Sequence, residues 1–231
     1  MLVFSARSGV PLAVLLDEGR LTDIRTAAAG AVCAKHLAPY DPGWIGVCGS
    51  GLQARLQLRL LLPFTTCRNV VVWARNGSKA AECAADIAQL GYNTKVASSP
   101  AALAVCARLI ITTTASDRPY LMADDIQPGT HITAVGSDSA DKIELDPAIL
   151  GRASSVIADS RSQCRERGEI HHAIASGAVR AGDIVELGEI IGKKRGSRDP
   201  HAITIADLTG VAAQDIMMAE AVCRGLQVSG V

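Results

Sequence analysis

The segment "WIGVCGSGLQA", residues 44–54, decides how the rest of the chain is read. A short β-rich apolar run ends at Gly49, and Gly49-x-Gly51-x-x-Ala54 opens a segment in which Leu52, Leu56 and Leu60 recur at helical spacing. Strand, glycine turn and helix in that order form the context of a dinucleotide-binding turn. Gly49 permits the sharp reversal, and Gly51 lets backbone N–H groups approach a pyrophosphate at the helix N-terminus. A bare G-x-G-x-x-A is weak evidence, and the plain alternative is a tight structural turn. Its place on the first strand of a βαβ unit gives it weight.

Outward from this turn the pattern repeats. The runs "WIGVC", "NVVVWA", "TKVA", "RLIITTT", "THITAV" and "SSVIAD" alternate with helical stretches such as 52–62 and 78–90, the latter closed by Gly91. This alternation over residues 44–159 predicts an α/β fold with a doubly wound, Rossmann-type parallel sheet. After the second strand an NAD-preferring site would carry an acid for the ribose 2′-hydroxyl. Arg75 and Asn76 stand there instead, followed by Ser78 and Lys79, which suits a 2′-phosphate and favours NADP(H), with NAD(H) possible. "ITTTAS" ends the fourth strand with hydroxyls on the carboxyl edge, so Thr114 is a candidate cofactor contact.

The flanks differ. Residues 1–16 read as a hairpin, "MLVF" and "PLAVLL" around "SARSG", followed by an Ala-rich helix to about Leu37 that Thr22 could cap. One hairpin and one helix cannot form a core alone, so they must pack elsewhere. After "ITIAD" (203–207), a helix expected from Leu208 to about Gly225 offers a surface onto which the N-terminal helix could fold.

Composition narrows the function classes. The chain has 231 residues, 48% of them hydrophobic, with 23 basic and 23 acidic side chains. No net charge draws a phosphate backbone or an anionic bilayer, so nucleic acid and membrane are not expected partners. No apolar run approaches membrane-spanning length and no secretory pattern opens the chain, so the expected location is cytoplasmic. Seven cysteines without a C-x-x-C pair or a histidine at ligand spacing read as buried thiols, and no metal site is expected.

Six stretches together, "LTDIRTAAAGAVCAKHLA", "GVCGSGLQAR", "VVVWARN", "AVGSDSADKIELD", "GEIHHAI" and "ITIADLTGVAAQDI", resemble the ornithine cyclodeaminase/μ-crystallin family, and the likeness runs through almost the whole chain. The resemblance implies hydride exchange at the α-carbon of a small amino or imino acid: ornithine to proline plus ammonia, or reduction of a cyclic ketimine such as pyrroline-2-carboxylate. It places Arg25 on the substrate carboxylate, Leu52 and Gln53 on the pyrophosphate, and Gly136 with the cofactor. It also makes Asp138 the general acid/base, sets Lys142 near the cofactor, and brings Thr209 and Gly210 close to nicotinamide and substrate. Asp141, Glu144 and Asp146 keep a bland surface reading, with Asp146 as a cap for "PAIL". His171 and His172, about 100° apart on a helix, are assigned structural roles.

Family members carry about eighty to ninety residues before the equivalent of "MLVF". The resemblance therefore implies that residues 1–41 are a remnant of a substrate and dimerisation domain, that 42–206 form the dinucleotide domain, and that 207–231 return to the first unit. A homodimer is implied where that first domain is complete. "GSDSADKIEL" departs from the family's P-G-K version, which leaves ornithine and ketimine both open. The alternative function is a catalytically impaired dinucleotide-binding paralogue of the μ-crystallin kind.

Overall fold

The computed structural model describes residues 1–192 and 198–227; residues 228–231 of the expected C-terminal region lie outside the described residues. The chain opens with the antiparallel hairpin β1 (Leu2–Phe4) and β2 (Pro11–Val14), then helix α1 (Arg20–Leu37). Strand β3 (Ile45–Cys48) leads through the glycine turn into α2 (Leu52–Leu61) and β4 (Asn69–Trp73). Helix α3 (Gly77–Ala88), β5 (Asn93–Val96), α4 (Pro100–Cys106) and β6 (Leu109–Thr112) follow. Next come β7 (Asp117–Leu121), β8 (His131–Ala134), β9 (Ile143–Leu145), α5 (Pro147–Gly151) and β10 (Ser155–Ala158). The chain continues with α6 (Arg161–Cys164), α7 (Glu169–Ala175), β11 (Val185–Glu186), α8 (Leu187–Ile191), β12 (Thr204–Asp207) and α9 (Ala212–Gly225).

Eight strands form one parallel sheet in the order β11-β10-β12-β8-β6-β3-β4-β5. The inner strands β3, β6, β8 and β12 are buried at every position, and this is why they read as continuous apolar runs rather than alternating ones. The period of two nevertheless sorts their side chains. Val70, Val72, Leu109 and Ile111 join one core with α1, α2 and α3, while Val71 and Ile110 join the other with α4, α5 and α7. Gly46 faces the second core, where a Cβ would lie 2.5 Å from Leu103 of α4. Both faces are therefore covered, and the fold is the doubly wound α/β class expected from the alternation.

The order in which strands are added reverses between β3 and its parallel neighbour β6, the switch point at whose carboxyl end such sheets bind ligands. The structure corrects several local readings. Thr22 does not cap α1: Asp17 accepts the Leu21 N–H at 2.8 Å, and Gly19, at φ +83°, stands at the N-cap three residues earlier. Helix α3 begins at Gly77, with Asn76 accepting the Lys79 N–H. "ITIAD" is an interior strand, placed between β8 and β10 although it comes last in the chain. Leu208 to Val211 form a turn, so α9 starts later than its apolar spacing suggests. The short parallel pair β7–β9 was not anticipated. Among the described residues no helix is long and apolar enough to cross a membrane.

Candidate functional site

At the switch point the glycine turn meets the segment after β6. Gly49 has φ +121°, and a Cβ there would lie 2.4 Å from Thr113 Oγ1 and 3.1 Å from its carbonyl oxygen. The Thr113 N–H in turn donates to the Cys48 carbonyl at 2.8 Å. Glycine is thus required both by conformation and by this close approach. Gly51, the residue before α2, has nothing within 4 Å of its Cβ direction, so backbone N–H groups at the helix start face open space. That space is a cleft of about 800 Å³ lined by Gly49, Gly51, Arg75, Asn76 and Thr114, among others. Five of the sequence-derived cofactor positions therefore share one cleft, and its size and glycine floor suit an extended dinucleotide. Leu52 is exposed beside it. The Gln53 amide instead donates to the carbonyl and carboxylate of Asp23 on α1.

Glu144 holds the far wall of the cleft. It is fully buried on β9, correcting its bland surface reading. One carboxylate oxygen accepts from the Thr114 N–H, Thr114 Oγ1 and Tyr120 Oη, each at 2.7 Å. The other accepts from Thr112 Oγ1 at 2.6 Å and the Gly136 N–H at 3.0 Å. Three chain segments leaving β6, β7 and β8 are thereby tied to one group. Thr114 spends its hydroxyl on Glu144 and reaches the cleft as a backbone wall. Gly136 makes this packing possible: a Cβ there would stand 2.1 Å from the Thr114 carbonyl oxygen and 2.6 Å from Glu144.

Beyond Gly136 the chain exposes Asp138 on the loop after β8. Lys142 donates to its carboxylate at 2.6 Å, with the two side chains 29% and 58% accessible for Lys142 and Asp138. The loop is closed beneath by the Lys142 carbonyl, which accepts from Ser137 Oγ and lies 2.9 Å from His172 Nε2. His171 Nδ1 lies 2.8 Å from the Arg165 carbonyl, so both histidines bond to backbone. Asp146 caps α5 through the Ala148 N–H. Six of the seven cysteines are buried, and all seven are free thiols.

Arg25 lies at the junction of the two flanks. It extends from α1 toward the first turn of α9, where its Nε donates to Asp215 at 3.1 Å and its Nη1 to Gln214 at 3.0 Å. Its guanidinium lies against Gly210, where a Cβ would be 2.8 Å from Nη1. Gly210, at φ +82°, is fixed from behind: its N–H donates to Asp159 at 2.7 Å, and Thr209 Oγ1 donates to the same carboxylate at 3.2 Å. Thr209–Gly210 leaves β12 and Asp138 leaves β8 from the same sheet edge, and β12 pairs directly with β8.

Beneath this edge lie further buried acids that sequence reasoning did not single out. Glu169 accepts from the N–H groups of Glu144 and Leu145, and Asp207 accepts from the Ile170 N–H. Burial, helped by the neighbouring Glu144 charge, pushes Glu169 up to about 8. Burial raises Glu144 and Asp207 in the same direction. A folded-state value above the unfolded one favours the protonated fold, so stability is greatest below about 4.5 and declines as pH rises toward about 8. Glu169→Gln is expected to flatten that part of the decline in melting curves recorded across this range. It should also lower stability at acid pH by roughly 1–3 kcal/mol, since one of the two backbone N–H groups loses its acceptor. An unchanged slope would contradict the assignment.

A glycine turn at the switch point of a doubly wound sheet, opening on an elongated cleft beside a charged edge, defines a dinucleotide-binding protein of the oxidoreductase type. The sequence pattern of the ornithine cyclodeaminase/mu-crystallin family matches residues 1–227, and the chain belongs to that family. It is 45% identical over 223 residues to an uncharacterized cyclodeaminase of Sinorhizobium fredii, covering 95% of this chain and 67% of that protein. An archaeal alanine dehydrogenase dimer with bound NAD superimposes with a TM-score of 0.91 at 33% identity, over 100% of this chain and 71% of the other. The Delta(1)-pyrroline-2-carboxylate reductase of Thermococcus litoralis, in complex with NADH and L-proline, gives 0.88 at 27% identity, over 98% and 72%. The chain thus spans about two thirds of the length of the relatives it matches.

Proposed function

We propose that this chain is an NAD(P)-dependent enzyme of the family, exchanging hydride at the α-carbon of a small amino or imino acid. The observation that carries the reading is the arrangement along one sheet edge: the dinucleotide cleft at β3 and β6, the carboxylate of Asp138 after β8, and Arg25 against the Gly210 turn after β12. A bound nicotinamide supplies or accepts the hydride. Arg25 binds the substrate carboxylate through a planar, charge-assisted fork. Asp138 delivers a proton to, or removes one from, the substrate nitrogen, which must be protonated as an imine before reduction and must shed protons as an amine before oxidation. Lys142, which donates to Asp138 at 2.6 Å, holds that carboxylate in place. The relatives' names point to ketimine reduction, amino-acid oxidation and cyclodeamination, all of which use this one step. Mixing the protein with NADPH and pyrroline-2-carboxylate, and following loss of reduced cofactor, tests the reading. Binding of cofactor without turnover on any amino or imino acid would favour the non-catalytic, μ-crystallin-like alternative.

We infer a preference for NADP(H) within a site that takes either dinucleotide. Supporting it, Arg75 and Lys79 line the cleft where β4 ends, and that strand end carries no carboxylate. Arg75→Ala is expected to weaken NADPH binding about tenfold while changing NADH binding little, because one charge-assisted contact to a 2′-phosphate is lost. Equal losses for the two cofactors in fluorescence titrations would place Arg75 elsewhere. We also propose a homodimer. The hairpin and α9 expose Leu2, Phe4, Val14, Ile216 and Met217, each more than half accessible, an apolar face of the kind that a second subunit covers.

A further inference from the structure

Arg25 donates from two of its three nitrogens to side chains of α9, and this fixes the plane of the guanidinium. An arginine has five N–H donors in a rigid fork. Asp215 takes the Nε proton and Gln214 takes one proton on Nη1, so three donors remain, two of them on Nη2. Among the described residues Nη2 donates to nothing. The remaining donors suffice for a two-point grasp of a carboxylate. The Arg25 side chain is only 16% accessible and leans on the Gly210 backbone, so its two partners, more than solvent, decide where the fork points.

We propose that Asp215 and Gln214 are positioning residues. They orient Arg25 so that its unused edge meets the carboxylate of the amino or imino acid, and so determine selectivity for a carboxylate over an uncharged analogue. This rests on the reading of Arg25 as the carboxylate ligand. Orientation, not charge, is the operative feature, because an ionised Asp215 by itself opposes binding of a second anion to the same arginine. Asp215 also lies in the first turn of α9, where the helix dipole favours an acid, so its removal loosens that turn as well.

The test uses the full chain loaded with NADH and two unreactive planar probes, pyrrole-2-carboxylate and pyrrole-2-carboxamide, with affinities read by calorimetry. Wild type is expected to prefer the carboxylate, and Arg25→Lys to lose that preference. A wild type without preference, or an Arg25→Lys variant that keeps it, would sink the Arg25 reading and this proposal together. With Arg25 upheld, Asp215→Ala is expected to reduce the preference about tenfold. Asp215→Asn, which keeps the acceptor oxygen but not the charge, should restore it to within about threefold, with NADH affinity unchanged throughout. A preference that survives Asp215→Ala, or that Asp215→Asn fails to restore, overturns the proposal. Should Asp215→Ala not fold, Gln214→Ala and Asp215→Asn carry the test: the first is expected to reduce the preference and the second to keep it, and the opposite result refutes it.

Discussion

Asp138→Asn is expected to reduce turnover by roughly 10²–10⁴, the usual contribution of a positioned general acid or base, while the affinity for NADPH stays within about twofold. The expectation follows from where the carboxylate sits: on the exposed loop after β8, outside the dinucleotide cleft, and held by Lys142 alone among the described side chains. An asparagine keeps the volume and can still accept from Lys142, but it cannot carry a proton to or from a substrate nitrogen. Stability should change by less than about 1 kcal/mol, since the lost ion pair is well exposed. Steady-state kinetics alongside cofactor titration separates these effects. A variant that loses cofactor binding and turnover in equal measure would make Asp138 a structural residue.

Glu144→Gln is expected to destabilise the fold by roughly 2–4 kcal/mol and to weaken dinucleotide binding, a large effect for an isosteric change. The hydroxyls of Thr112, Thr114 and Tyr120 can rotate to suit an amide, but backbone donors cannot. The Thr114 N–H addresses one carboxylate oxygen and the Gly136 N–H the other. Whichever way the amide is turned, its NH₂ faces a backbone N–H at a site without solvent. The cleft wall from Thr113 to Tyr120 should loosen, so NADPH affinity should fall together with melting temperature. Gly136→Ala is expected to fall in the same class, because its methyl would meet the Thr114 backbone, which cannot swing aside. A Glu144→Gln protein as stable as wild type would mean that the five-donor arrangement is not maintained in solution.

How much of this was legible in the sequence depends on the range of the interactions. The Gly49 turn, the strand alternation and the Asp146 cap are written in neighbouring residues, and the structure bears them out. Arg25 was visible only through family resemblance, since its partners Gln214 and Asp215 lie almost the whole chain away. Glu144 was misread for a related reason. An acid among Asp138, Asp141 and Asp146 looks solvated, and nothing nearby reveals five donors converging from residues 112 to 136. The one local hint was "KIEL", a short β-like run with a single acid inside it. Thr22 was preferred as a helix cap because it precedes the Ala-rich stretch. Asp17 reaches the helix start instead, because glycine at position 19 permits the positive φ of the preceding turn. The placement of β12 between β8 and β10 depends on which apolar edge is still open when the chain returns, and that is a tertiary property.

The central claim is tested most directly by mixing the protein with NADPH deuterated at the transferable position and pyrroline-2-carboxylate, and analysing the product by mass spectrometry and NMR. The account predicts proline carrying one deuterium at its α-carbon, formed by wild type and lost with Asp138→Asn. Tightly bound, undepleted NADPH in the presence of this and other amino or imino acids would contradict it.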